Sequence, residues 1–476
     1  MKRFIALFLS CLLVLSFALT SCGNKEDNAS NPDGSKAPVK SGDAATPAGT
    51  DAAPAVSDDP SVTTINVYSF TEEIPSMVDK YLKDHPEVKL KMNKTVVATT
   101  EQQYQPALDA ALQGGGEKAP DIYAAEAAFV KKYTTGEGAS YAAAYKDLGI
   151  DVDAKIKEGD VAKYVVDIGT NEAGSVVALG YQATGGAFIY RRSIAKDVWG
   201  TDDPKVIKEK MGTDWDGFFK AAEELKKKGY GIVSGDGDMW HAVENSSDQG
   251  WVVDGKLVID PKRAAFLDYS KKLKDNGWHN DTRDWQPAWD ADMKGAGPQP
   301  IFSYFGPAWL INYRIATNSG GSKIGEGTYG DWAVCDPVIG FFWGGSWLFA
   351  NKNTKIPATV GKIIEWITLD NTDTGLQYLW ANGKMNDKGT KDAVSISNVM
   401  VRSDGKIDFL NGQNMFDVFI PAGKFADGSK LTQYDESINA NFRDEVRLYS
   451  AGKKTKEKAI EDFKTKVKNT LDITVE

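Results

Sequence analysis

The sequence predicts an α/β protein of two lobes, and three observations carry that expectation. Strand-like and helix-like segments alternate from Val62 onward. The foldable part, about 415 residues behind a polar N-terminal stretch, is long for one core and comfortable for two. An apolar, nearly uncharged stretch from Asp336 to Lys352 sets Gly344 and Gly345 between Trp343 and Trp347. It suits a chain crossing between lobes beside a cleft, although alone it reads equally as a core strand and loop.

The first residues are a leader rather than a fold. Met1-Lys2-Arg3 precedes an almost unbroken apolar run from Phe4 to Thr20, then Ser21-Cys22-Gly23. A basic start, an apolar centre and a small-residue exit are the marks of an export signal, and the run is slightly short for a membrane span. Leu19-Thr20-Ser21 before Cys22 resembles the lipobox of bacterial lipoproteins. That resemblance implies removal of residues 1–21, palmitate-type lipidation of Cys22, and a lipid anchor on the outer face of the cell membrane. Residues 22–61 are rich in Asp, Ala, Pro, Ser and Gly without an aromatic, so they read as a flexible tether.

The chain of 476 residues has a formal net charge of −10, and loss of Lys2 and Arg3 makes the mature chain more acidic still. Without long basic runs it is not built to neutralise phosphates, which argues against nucleic acid. Of three cysteines, Cys11 leaves with the leader, Cys22 is taken by lipid, and Cys335 has no partner, so no disulfide framework is expected.

In order, Val62–Phe70 reads as a strand, Ile74–Asp84 as a helix ending before Pro86, and Val88–Val97 as a second strand. Gln102–Leu112 reads as a helix stopped by three glycines, and Pro120–Glu126 as a short strand. Ligand sites in such layouts lie beyond the strands' carboxyl ends, here near Tyr68, Ser69 and Phe70 and near Glu126. Gly180–Gly186 followed by Ala187–Tyr190 suits a first interlobe crossing. Asp214 caps a helix running to Lys228, Gly231–Val233 is a strand, and Trp240 is expected in a Gly/Asp-rich loop. Asp260-Pro261 opens a helix, and Gly306-Pro307 places Phe305 and Trp309 around a turn or helix start. Helices are expected over Ile356–Leu369, Gly375–Asn382, Asp435–Ala451 and Thr455–Leu471, with Ile420–Gln433 as loop.

The chemistry is notable for what it lacks. His85, His241 and His279 share no metal-like spacing; no HExxH, nucleophile elbow, CxxC or P-loop occurs. Asp387–Asp392 is a poor calcium loop because Lys388 and Lys391 stand at ligand positions. No metal, cofactor or catalytic residue is therefore expected. Tryptophan is over-supplied, with 13 in the chain, many between Trp240 and Trp347 in turn-rich sequence. Flat rings beside amides and carboxylates suit sugar rings, which offer C–H faces for stacking and hydroxyls for hydrogen bonding. For any one Trp, core packing is the plainer reading.

These segments in this order resemble the maltose-binding-like (family 1) extracellular solute-binding proteins of bacterial ABC importers. The resemblance rests on the lipobox, Lys118–Tyr123, Ala187–Arg192 with Asp197, Trp215–Phe218, Gly306–Trp309, Gly344-Gly345 with Phe349–Lys352, and Gly452–Thr455. It implies a class II periplasmic-binding-protein-like fold, with lobe 1 at 62–180 plus 341–400 and lobe 2 at 181–340 plus 401–476. It implies cleft closure on a carbohydrate, with an oligosaccharide the favoured ligand, and delivery by a monomer to an ABC permease. Carried over position by position, the ligand residues are Tyr68, Ser69, Phe70, Glu126, Trp240, Phe305, Trp309, Trp343 and Trp347. Asp331 is expected to join Glu126 in orienting hydroxyls. Residues 278–299 depart from the family pattern in their Trp content and add Trp285, either extending the cleft or as an ordinary surface insertion. Two other readings stay open: a surface-tethered glycoside hydrolase or lyase using paired carboxylates, or the same fold with a non-sugar solute.

Overall fold

The computed structural model describes residues 56–99 and 102–476. The leader, Cys22 and most of the tether lie outside them. Two sheets organise the described chain. The first has β1 (Thr64–Ser69), β2 (Lys91–Val96), β3 (Ile122–Glu126), β4 (Ala178–Gly180) and β11 (Ser346–Ala350), in the order β2-β1-β3-β11-β4. The second has β5 (Ala187–Arg191), β6 (Gly231–Val233), β9 (Ile301–Gly306) and β10 (Trp332–Cys335), in the order β10-β5-β9-β6. A hairpin of β7 (Val252–Val253) and β8 (Lys256–Leu257) stands apart.

In the first sheet β1 runs parallel to β2 and β3, the expected consequence of helices Glu73–Asp84 and Tyr104–Gly114 between them. β11 then inserts antiparallel, with Ser346 opposite Glu126. The second sheet is buried on both faces. Ile189, Tyr304 and Val334 point into one apolar cluster, while Phe188, Phe305 and Cys335 point into the other. This period-two division is why its strands read as nearly continuous apolar runs.

Two segments join the sheets side by side. The first runs from β4 to β5, the second from β10 to β11. They pair at Gly185 and Phe342; the Trp343 N–H donates to the Thr184 carbonyl (3.0 Å) and the Gly186 N–H to the Phe341 carbonyl (2.8 Å). Glycine is required at 186, since a Cβ there would stand 2.0 Å from the Phe341 ring. A third link follows helix Phe416–Ala422, which occupies ground expected to be partly loop, and leads to helix Asp435–Ser450.

Two local expectations are corrected. Trp240 lies within helix Gly237–Asn245, not a loop, because Met239, Trp240, Ala242 and Val243 supply it with a buried apolar face. The last tether residues are docked: Asp58 accepts bonds from the Ala358 and Thr359 N–H groups and the Thr359 hydroxyl (2.6 Å). It thereby caps helix Pro357–Thr368, whose own N-cap residue Ile356 has no side-chain acceptor.

Candidate functional site

The sheets direct their strand ends at the two crossings. β1 and β3 finish at Ser69 and Glu126, where β11 begins. β6 and β9 finish at Val233 and Gly306, where β5 begins. The loops and helix starts after these strands therefore converge on one cleft, walled across its back by Asp336–Gly345.

Three tryptophans meet there. Trp343 lies on the second crossing, Trp309 in the turn after β9, and Trp285 ahead of helix Pro287–Met293. Trp309 meets Trp343 edge to face at 4.9 Å and donates its Nε1–H to the Trp343 carbonyl (3.0 Å). Trp285 stacks offset on Trp309, with centroids 6.0 Å apart, and turns its edge to Trp343. Its indole is 41% exposed and its backbone φ is +66°, a left-handed geometry rarely adopted by so large a residue. The Arg314 guanidinium covers it at 5.3 Å. On the other side the His241 ring stacks on Trp343 at 4.6 Å.

Behind Trp343 lies a cavity of about 110 Å³, walled by Glu126, His241, Glu244, Arg263, Lys430 and Asp435, among others. Glu126 Oε2 accepts from the Ala128 N–H (2.7 Å). Burial pushes its carboxyl up to about 7; the Ala128 N–H opposes this, while Glu436 and Glu244 add repulsion. Gly344 is at φ +70°, and a Cβ on it would stand 3.3 Å from Glu126 Oε1 and 3.4 Å from Trp309 Cζ2. Glu126 Oε1 and the indole edge thus flank one point on the backbone. Burial alone would raise Glu244 too, but the His241 and Asn439 side chains and Arg263 hold it below the usual range. Asp435 is pushed up to about 7 by burial, with Thr432 partly offsetting this.

Several expected site residues do not reach the cleft. Trp240 is 1% exposed, with Phe266 and Phe442 against its ring. Phe305 is packed among Phe188, Trp215, Phe218 and Phe341. Trp347 lies on the buried inner face of β11 and donates its Nε1–H to the Val165 carbonyl (3.0 Å). None of these rings keeps a face for ligand. Asp331 precedes β10, at the end of the second sheet remote from the crossings, where it pairs with Arg191 (2.7 Å) and holds the Ser193 N–H. Ser69 is fully buried, with its hydroxyl accepting from the Thr71 N–H. Tyr68 and Phe70 are half-buried; Phe70 lies edge-on to Tyr104 and Phe129 near the end of β3. Trp251, Trp278, Trp289 and Trp332 are also core, so the concentration of Trp in this part of the chain is mainly packing.

Glu244, Asn245, Arg263, Lys430, Asp435 and Asn439 were not among the expected residues. A signal existed for two: His241, Glu244 and Asn245 form an i, i+3, i+4 polar edge on an otherwise apolar helix. The last three enter from the C-terminal link, whose position no local pattern reveals. Among the described residues no group of three or more His, Cys, Asp or Glu side chains could hold a metal ion, and no helix is long and apolar enough to cross a membrane.

Two α/β units, paired crossings and a cleft at the strand ends define a periplasmic-binding-protein-like fold. The chain belongs to the bacterial extracellular solute-binding protein family, whose model matches residues 69–372. Among solved structures, a family 1 extracellular solute-binding protein aligns with a TM-score of 0.68 at 18% identity, over 86% of this chain and 99% of that one. The galacto-N-biose/lacto-N-biose I-binding protein of an ABC transporter from Bifidobacterium longum, in complex with lacto-N-biose, aligns with a TM-score of 0.65 at 17% identity, over 88% and 100%. An ABC substrate-binding protein from Listeria monocytogenes in complex with cycloalternan gives 0.60 at 15%, over 87% and 100%. No curated protein sequence is significantly similar to the chain.

Proposed function

We propose that the protein captures an oligosaccharide outside the cell and delivers it to an ABC import permease. The observation that carries this reading is the Trp285–Trp309–Trp343 wall set against the Glu126 carboxyl where the two sheets meet. Indole faces stack on sugar C–H surfaces while the Glu126 carboxyl and the Asn245 amide fix hydroxyls. Family membership and the sugar complexes of the B. longum and L. monocytogenes proteins support it. Ligand bridging both sheets favours the closed arrangement, because only closure offers it both surfaces. A lipid on Cys22 would hold this monomer at the outer face of the membrane, with the tether setting its reach.

The test is isothermal calorimetry of the mature protein against mono- and oligosaccharides, with thermal stabilisation and recovery of the sugar read in parallel. Saturable binding, a raised melting temperature and unchanged sugar are expected. Absence of binding across the panel overturns the reading, as does release of product. Labelling with a palmitate analogue, abolished by Cys22→Ala, checks the anchor.

A further inference from the structure

A chain of hydrogen bonds runs from the core to the Trp343 wall, and its polarity is fixed from one end. It starts at Trp251, whose indole N–H can only donate; Asn439 Oδ1 accepts it (2.6 Å). The Asn439 amide is thereby oriented, and its Nδ2–H donates to Glu244 Oε1 (2.6 Å). Glu244 Oε2 meets His241 Nδ1 (3.3 Å). Against burial, the His241 and Asn439 side chains and Arg263 hold the Glu244 carboxyl below its usual range, so it is ionised and can only accept. Nδ1 therefore carries the imidazole proton, and in the neutral ring Nε2 keeps its lone pair.

That lone pair is free. His241 lines the cavity, and its Nε2 makes no hydrogen bond among the described residues. Most of the other polar groups in the lining are engaged or shut away. Asn439 is used on both sides of its amide, Asp435 takes the Thr432 hydroxyl (2.6 Å), and Lys430 serves the Ser247 carbonyl (2.7 Å). Arg263 Nε and Nη1 have no partner, but both atoms are enclosed, and Glu244, Asp435 and Asp260 face their charge at longer range. The imidazole also lies nearly parallel to the Trp343 ring, at 21° with centroids 4.6 Å apart. Its in-plane lone pair runs alongside the indole, in the layer where a pyranose laid against that side carries its equatorial hydroxyls.

On the reading of the site as a saccharide cleft, we propose that His241 is a specificity-determining residue. Its Nε2 accepts a hydrogen bond from one hydroxyl of the bound sugar, while Glu244 and Asn439 are positioning residues that fix the ring's proton on Nδ1. The contact asks the sugar for a donor. A hydroxyl supplies one; the same position carrying fluorine does not, and leaves the lone pair unpaired against the ligand. The chain also has a polarity that one isosteric change reverses. In Glu244→Gln the Asn439 Nδ2–H claims the amide oxygen, the amide nitrogen donates to His241 Nδ1, and the ring proton moves to Nε2.

The experiment is long-range proton–nitrogen NMR of the histidine-labelled mature protein at pH 8, which reads the protonation of each ring nitrogen. The chain has three histidines, and His241→Phe assigns the signal. His279, whose Nδ1 accepts from the Asp281 N–H (2.7 Å), supplies the opposite tautomer as a control. His241 should carry its proton on Nδ1 in the wild type and on Nε2 in Glu244→Gln. Any sugar of the panel that binds should shift the Nε2 resonance. Glucose and galactose are titrated beside their monodeoxyfluoro analogues, and a parent sugar should bind about fivefold more tightly than one of its analogues. In Glu244→Gln that ratio should fall toward one, with circular dichroism confirming the fold. A proton on Nε2 in the wild type, or a tautomer unmoved in Glu244→Gln, overturns the chain. Sugar binding that leaves Nε2 unshifted, or a hydroxyl preference that survives Glu244→Gln, overturns the contact and leaves the saccharide reading in place. Binding of no sugar in the panel overturns the contact and the saccharide reading together.

Discussion

At the scale of single residues, the tryptophans separate into two populations with different predicted responses. Trp343 and Trp309 are half-buried and hold each other through an edge-to-face contact and the Nε1–H bond to the Trp343 carbonyl. Trp343→Ala is expected to weaken sugar binding about tenfold or more with little change in melting temperature, checked by calorimetry and thermal unfolding. Trp240 and Phe305 are enclosed on every side, so Trp240→Ala should instead cost roughly 3–5 kcal/mol of stability, checked by denaturant unfolding. Wild-type stability in Trp240→Ala would mean that its pocket is not the rigid core described. Composition made all these rings look alike. What separates them is whether a neighbour from a distant segment, such as Phe442 against Trp240, takes up the face.

At the scale of elements, the regular segments were legible because their causes are local. Asp214 accepts from the Gly217 N–H (2.8 Å) and starts helix Trp215–Lys227; Thr455 accepts from the Lys458 N–H (3.2 Å) and starts helix Lys456–Thr470. Helix Pro357–Thr368 is the exception, since its cap comes from Asp58, about 300 positions away in sequence. Asp58→Ala should destabilise the fold by about 1 kcal/mol, read as a lowered denaturant midpoint, and should raise proteolysis of the segment before Val62. An unchanged midpoint would show that the helix start finds water as good a partner. The polar edge of helix Gly237–Asn245 was missed because its Gly and Asp residues resemble a loop until its buried face is seen to pay for the turn it completes.

At the scale of the whole molecule, the crossings gather buried acids that tie stability to pH. Glu73, after β1, accepts from the Tyr181 hydroxyl on the first crossing (2.5 Å). Asp392 accepts from the Ala393 N–H (2.8 Å) and from Gln182 on the same crossing (3.5 Å). Burial pushes Glu73 up to about 7, which the Tyr181 hydroxyl partly offsets, and burial together with the Glu73 charge pushes Asp392 up to about 8. Their ordinary values are near 4, so between pH 4 and 8 the folded chain binds more protons than the unfolded one. The stabilisation is full below the unfolded values and is lost as pH rises through about 7 to 8. The melting temperature should therefore fall from pH 5 to pH 8, and Asp392→Asn should flatten that fall. A flat profile in the wild type would show that these groups ionise as freely in the folded chain as in the unfolded one.

The sequence by itself determined the alternation of strands and helices, the capped helices of the second half, the crossing at Asp336–Lys352 and the family, since periodicity, capping and short motifs are written within a few residues. It also singled out Glu126, Trp309, Trp343 and Trp285, which lie at strand ends or in turns. Only the tertiary structure decided which rings keep a free face, that Asp331 serves Arg191 and Ser193, and that the C-terminal link carries Lys430, Asp435 and Asn439 into the cavity. Burial and convergence depend on neighbours hundreds of residues distant, and no local pattern encodes those.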